Sequence, residues 1–371
     1  MRFKSLITCT FAIFLLGNCI FKFAHADVVN IRNDAPQTYV VKKGDTLWDI
    51  SSLFLNQPWR WPELWRNNTQ IANPHLIFPG DMLRLRWENG VPILELVTDG
   101  RDNKPRVTLT PHSRLIEKPM AINVLPWEKM KMYINNDSIM TVEDFHALPS
   151  VLADREGTSR FVDNDYVLTR AFTADEMANV ESFEIVRKVR EIYDSMGALL
   201  GVQVIHLSGA AFSTALSGDK TIVKVAQSIF EVKKGDKLRP VMQFNDSDLR
   251  LAPATRETGE LVANINGYNL ISKHDVVIIN LGERKVAPGT VFGIYKRGPD
   301  ITYREEPSYT ANRSSLKTLF SLQETIEQPA YKVGELVVIR GFEHASYAWV
   351  TNVTTHLTGG EIIASPSPAE Q

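Results

Sequence analysis

The sequence predicts an α+β, multidomain chain: a small βααβ module near the N-terminus, then a mainly β body with two weakly repeated barrel-like units. Three observations carry this reading. Five of the seven tryptophans (Trp48, Trp59, Trp61, Trp65, Trp87) fall within forty residues of one another, among apolar positions at helical spacing. Short runs rich in β-branched residues dominate the chain beyond residue 166. Two stretches of that later part echo each other at matching offsets. With 371 residues, 44% hydrophobic and 23% charged, the chain has material for a buried core and more than one domain, which excludes disorder throughout. A net charge of −2 without a long single-sign run excludes a nucleic-acid footprint.

Residues 1–26 read as a cleaved secretory leader. Arg2 and Lys4 give the positive start, Leu6 to Phe21 is apolar and uncharged, and Ala24-His25-Ala26 has the small-x-small pattern of a cleavage site. The stretch is marginal for a membrane span, which takes about 17–25 apolar residues, and Asn18 interrupts it. An uncleaved anchor and lipidation at Cys19 stay open as alternatives, although Asn18 stands where a lipoprotein box wants a small residue. Cleavage after Ala26 removes Arg2, Lys4 and Lys22 and leaves 38 cations against 43 acids, a balance of −5. It also removes Cys9 and Cys19, the chain's two cysteines. The expectation is a periplasmic or cell-envelope protein without thiols, and so without disulfides, cysteine-ligated metals or cysteine nucleophiles.

The module is expected at residues 36–88. Thr38 to Val41 reads as a short strand, and Lys42-Lys43-Gly44-Asp45 as a turn with glycine where φ is positive. Asp45 or Thr46 can cap the helix that follows, because Leu47, Ile50, Leu53 and Phe54 recur at helical spacing over 46–55. Pro58 and Trp59 mark a break. Pro62 suits the first turn of a second short helix that carries Leu64 and Trp65 to about Asn68. Asn73-Pro74 and Pro79-Gly80 bracket a loop, and Met82 to Trp87 alternates as a closing strand. Leu47, Trp48, Ile50, Leu64 and Leu83 are assigned to the core. Trp59 and Trp61 are assigned to packing, with sugar stacking as the alternative, and His75 to fixing its loop.

Tyr39-Val-Val-Lys-Lys-Gly44-Asp45-Thr46-Leu47-Trp48-Asp-Ile50, followed by Asn73-Pro74-His75-Leu76-Ile77-Phe78-Pro79-Gly80-Asp81, resembles a lysin motif (LysM). The match departs by a few extra residues, Asn56 to Trp61, between the helices. The resemblance implies binding of N-acetylglucosamine-containing glycans, peptidoglycan in bacteria and chitin in some eukaryotes. It implies a shallow groove between the Gly44–Leu47 turn and the Asn73–Gly80 loop. The contacts it implies fall on Gly44, Asp45, Thr46, Leu47, Asn73, Pro74, His75, Leu76, Ile77, Pro79 and Gly80. An acetamido group offers one donor, one acceptor and a methyl, which a rigid backbone and an apolar side chain can match. A sugar of about fifteen heavy atoms, at roughly −0.3 kcal/mol per atom, gains about −4.5 kcal/mol. That corresponds to a Kd near about a millimolar. One module is therefore a weak tether, tightened by longer glycans or by many copies on one sacculus.

Residues 89–165 are expected as a connector. It holds strand-like runs at Ile93–Val97 and Val107–Thr110, helix starts at Pro126–Met130 and after Thr141, and a polar loop from Arg155. The body follows as unit 1 at 166–245 and unit 2 at 265–363, with a disordered tail at 364–371. Strands are expected at Val202–Ile205, Val276–Ile279, Val291–Ile294 and Leu336–Ile339, while Asp175 to Ile192 fits either a helix or a strand. Gly201, Val225 and Gly235-Asp236 parallel Gly334, Val350 and Gly360-Glu361. Val232-Lys-Lys-Gly-Asp236-Lys-Leu238 nearly copies Val41 to Leu47, but no amphipathic helix follows, so it reads as a plain turn. The whole order resembles uncharacterised proteobacterial exported proteins with one N-terminal lysin motif, a resemblance that brings no catalytic residues.

The catalytic signatures in the sequence are incomplete. His112, His146, His206, His274, His344 and His356 stand alone, without zinc-peptidase spacing. Leu207-Ser208-Gly209 is only a fragment of a nucleophile elbow. Glu181-Ser182 with Gly197 to Gln203 resembles the signature of lytic transglycosylases, but the surroundings are β-rich where that chemistry needs a helical body. The expectation is a non-catalytic binder of peptidoglycan glycan strands, without metal or cofactor. Its β body contacts an unidentified envelope protein. The alternatives are a transglycosylase-like hydrolase, or an assembly scaffold for which the module is only an address.

Overall fold

The computed structural model describes residues 29–65, 77–97, 124–170, 182–215, 220–241, 249–303, 307–309 and 324–367. The chain divides into two units at Leu125/Pro126.

In the first unit, β1 (Thr38–Val40) pairs antiparallel with β2 (Met82–Glu88), Tyr39 lying opposite Leu83. Asn89 and Gly90, at φ 51° and 78°, turn β2 into β3 (Val91–Leu96), which adds a third strand to the sheet. Positive φ at both central residues matches the right-handed twist of a two-residue hairpin. Helix α1 (Leu47–Phe54) starts at Thr46, whose Oγ1 accepts from the Asp49 N–H at 3.1 Å. A 3-10 turn (Pro58–Arg60) leads into α2 (Trp61–Trp65). Leu47, Ile50, Phe54, Leu64, Ile77 and Leu83 form the core. That core reaches beyond the expected limits of 36 and 88, taking in Val29, Leu94 and the flank of Val124. Ile31 bridges Leu55, and the Arg32 N–H donates to the Phe54 carbonyl at 2.9 Å. About fifty residues bury too little apolar surface alone, so flanking chain completes the module.

The body is mostly β; its helices are α3 (Trp127–Asn136) and α4 (Val142–Ala147), among the described residues. The first barrel comprises β5 (Val151–Asp154), β7 (Tyr166–Arg170), β8 (Phe183–Tyr193), β9 (Leu199–Ala215), β10 (Lys220–Ala226) and β12 (Lys237–Pro240). They neighbour in the order β12-β8-β9-β10-β7-β5. A bridge from Ser150 to Lys237 closes the ring, with the Leu238 N–H donating to the Pro149 carbonyl at 2.9 Å. Val151, Val167, Ile185, Leu207, Val225 and Leu238, one from each strand, fill it. The second barrel comprises β14 (Gly259–Asn264), β15 (Val276–Ile279), β16 (Thr290–Arg297), β20 (Ala330–Gly341), β21 (Ser346–Val353) and β22 (Glu361–Ala364), with β13 (Ala252–Pro253) parallel to β16 and a separate small sheet of β17 (Ile301–Tyr303), β18 (Pro307–Tyr309) and β19 (Glu324–Ile326). Pairing of β22 with both β14 and β16 closes that ring. Leu261, Ile279, Phe292, Leu336, Ala348 and Ile363 fill it, again one per strand. Numbered by chain order, both rings read 1-2-5-4-3-6. Gly201 and Gly334 lie in the fourth strands, Val225 and Val350 in the fifth, and Gly235-Asp236 and Gly360-Glu361 at the entry to the sixth.

Several expectations need correction. The span read as connector supplies β5 and also β4 (Asp137–Met140), which pairs with β9. The first barrel thus begins before residue 166, and the second at Gly259 rather than 265. Within the expected polar loop, β6 (Arg160–Phe161) pairs with β11 (Val232–Lys233). The stretch open to helix or strand is a strand from Phe183 on, and its earlier part, Glu181 included, lies outside the described residues. The tail read as disordered is fixed at its start: Tyr295 Oη donates to the Ser365 carbonyl at 2.6 Å, and Lys332 Nζ to that of Pro366 at 2.7 Å. The run Val107–Thr110 lies outside the described residues.

The two barrels meet through polar side chains. Arg190 donates from Nη2 to the Asn264 carbonyl at 2.7 Å, and Gln203 Nε2 to the Ile265 carbonyl at 2.9 Å. Beneath these, Glu184 accepts from Arg239 Nε at 2.6 Å and from His206 Nδ1 at 2.5 Å, while Arg239 Nη1 donates to Ser138 Oγ at 2.6 Å. Glu184 and Arg239 are buried as a pair, since neither charge would be tolerated alone.

Candidate functional site

Two turns of the first unit lie side by side because one residue bonds to both ends. The Val41 N–H donates to the Asp81 carbonyl at 2.9 Å, and the Val41 carbonyl accepts from the Gly80 N–H at 2.8 Å. Val41 leads directly into the turn Lys42–Asp45, and Gly80 belongs to the turn Phe78–Asp81. In both, the aspartate carboxylate accepts from the N–H three residues earlier, at 2.8 Å in the first and 2.9 Å in the second. Gly44 and Gly80, at φ 95° and 100°, hold the third positions, where a side chain would strain the backbone. Tyr39 Oη also donates to Asp45 at 2.8 Å. Burial, together with this bond to the carboxylate, pushes the phenol up to about 12, so it remains a donor across the physiological range.

The residues expected at the site take different roles. Gly44 and Gly80 present open backbone: a Cβ built on either meets no described atom within 4 Å. Asp45 is half-buried and occupied inside its own turn. Thr46 and Leu47 are 3% and 0% exposed, and Ile77 is 0% exposed. Their side chains are core or cap, and only their backbone can face a ligand. Pro79 is half-buried beside Gly80. Asn73, Pro74, His75 and Leu76 lie outside the described residues, so the second wall is described from Ile77 onward. Trp59 packs inward, its ring 6.5 Å from that of Trp48, and is 4% exposed; Arg60 and Glu63 beside it form a two-pronged pair at 2.8 and 2.6 Å.

Sequence reasoning missed one participant. The N–H of Trp48, in the first turn of α1, donates to the carbonyl of Val124 at 3.1 Å. Val124 lies in the span read as connector, where the apolar pair Val124-Leu125 before Pro126 is the only trace of it. The Lys-Lys-Gly-Asp copy at 233–236 forms the same turn as residues 42–45, with the carboxylate accepting from the Lys233 N–H at 2.6 Å, but runs into β12 instead of a helix.

Gly44 and Gly80 leave exposed backbone on two adjacent turns. Comparison with known proteins gives two matches. A stretch of 61 residues is 41% identical to the "Uncharacterized protein YqbP" of Bacillus subtilis (strain 168), covering 14% of this chain and 28% of that relative. The chain thus spans less than a third of that protein's length. Residues 39–86 match the family model described as LysM domain, a domain class that binds peptidoglycan- and chitin-type glycans. The chain therefore carries a LysM domain at residues 39–86.

Proposed function

We propose that the protein is a non-catalytic, exported component of the bacterial cell envelope that holds peptidoglycan through its LysM domain. The domain tethers the two-barrel body, which contacts an envelope partner, in the periplasm. The observation that carries this reading is the pair of open glycine turns held together by Val41, the only place among the described residues where the matched family and an accessible rigid backbone coincide. The leader-like residues 1–26 support export.

The test is co-sedimentation of the chain from Asp27 onward with purified sacculi. Binding is expected for the parent and lost on deletion of residues 38–87. Equal co-sedimentation of both proteins overturns the reading. Release of muropeptides from the same sacculi, abolished by Glu181→Gln, would favour a hydrolase instead.

A further inference from the structure

Val124 and Leu125 end the first unit, and the Val124 carbonyl reaches the first turn of α1, which follows directly on the Gly44–Leu47 wall of the proposed groove. In the first turn of α1, the Asp49 N–H is answered by Thr46 Oγ1 and the Ile50 N–H by the Thr46 carbonyl. The Trp48 N–H, one residue before Asp49, is answered from far along the chain, by the carbonyl of Val124. The seat has an apolar component as well. The Val124 side chain packs on the module's core, and Leu125 is 3% exposed. The Trp48 amide sits three residues from Asp45, two from Thr46 and four from Gly44.

The chemistry of the occupant matters. A peptide unit presents a carbonyl, an N–H and a flanking carbon, and the N-acetyl group of an amino sugar presents the same three in the same connectivity. A helix N-terminal N–H that donates to the carbonyl of one can donate to that of the other. We propose that the Val124–Leu125 peptide is a built-in occupant of the glycan lip, an amide that an N-acetylated glycan displaces from the Trp48 N–H. The inference rests on the glycan reading of residues 39–86. It adds that the domain binds its glycan in competition with its own chain, and that binding frees the residues leading into Pro126.

A net amide hydrogen bond sets the scale, about five-fold in affinity. The test uses the chain from Asp27 onward and the soluble tetramer of N-acetylglucosamine. In Val124→Gly and Leu125→Ser, which loosen the seat, the tetramer is expected to bind about five-fold tighter than in the parent. The unaltered chain, with labelled valine and leucine methyls, supplies a second reading that no folding defect can obscure: saturating tetramer should shift the Val124 and Leu125 signals towards those of a released segment. Unchanged or weaker binding in both variants, or Val124 and Leu125 signals that stay fixed while those of Leu47 move, overturns the inference and leaves the glycan reading intact. Failure of the parent and both variants to bind the tetramer overturns both.

Discussion

Asp137→Asn should stabilise the second unit, and only above a definite pH. Asp137 opens β4, where its backbone carbonyl accepts from Arg340 Nη1 at 3.4 Å. Burial pushes its carboxyl up to about 6 from an ordinary value of 3.8, against the opposing influence of a Gln203 hydrogen bond and the Arg190 charge. A carboxyl raised on folding is stabilising while protonated in both states, below about pH 3.8. That contribution is lost as pH rises through about 6, where the folded protein must hold the ionised form. The difference of about two pH units corresponds to about 3 kcal/mol above pH 7. Asparagine keeps an acceptor for Gln203 and carries no charge. The variant should therefore gain about 3 kcal/mol at pH 8 and almost nothing at pH 3.5. In a unit of this size that is about 6–12 °C in Tm. Calorimetry of the second-unit transition at both pH values reads it directly. An equal shift at the two pH values, or a loss at pH 8, would refute the reasoning.

Three further perturbations follow from the packing. Gly44→Ala places a Cβ at φ 95° and should cost the first unit about 1–2 kcal/mol, followed by tryptophan fluorescence in urea, since the space itself is free of described atoms. Thr46→Ala removes the cap of α1 and should cost about 1 kcal/mol in the same assay, with Thr46→Ser restoring most of it. Glu184→Gln leaves the buried Arg239 without its counter-charge and should destabilise the second unit by about 3 kcal/mol, whereas an exposed pair such as Arg297–Glu327 should give less than about 1 kcal/mol when broken. A small effect from Glu184→Gln would show that water reaches the barrel junction.

The module was legible because its signals are local. Glycine at the third turn position, Thr46 as cap and the spacing of Leu47, Ile50 and Phe54 each act within a few residues. The barrels were partly legible for the same reason: Val276–Ile279 and Leu336–Ile339 are apolar on both faces, and such runs read as buried strands without their partners. Closure was not, because it rests on pairings between positions far apart in sequence: Ser150 with Lys237 in the first ring, and β22 with β14 and β16 in the second. β4 was missed because Asp137 and Ser138 are poor strand formers, and their pairing with β9 comes from far along the chain. The barrel junction assembles Glu184, His206, Arg239 and Arg190 from four separate positions on three strands, and no local pattern announces such a meeting. Val124 escaped notice because its role lies in its carbonyl, which every residue has.

Among the described residues, the aspartate turn of residues 42–45 and 78–81 occurs three more times, at Val162–Asp165, Lys233–Asp236 and Ser272–Asp275, each with the carboxylate folded back on the first residue's N–H. The third residue has positive φ every time, although it is asparagine at 164 and histidine at 274. Two of the five are spelled Lys-Lys-Gly-Asp, letter for letter, in domains of different architecture. Those four letters thus encode a change of direction and carry no message about sugar. A motif search that stopped at them would count one glycan reader too many in this chain, whereas one that reads on to Thr46 and α1 counts correctly.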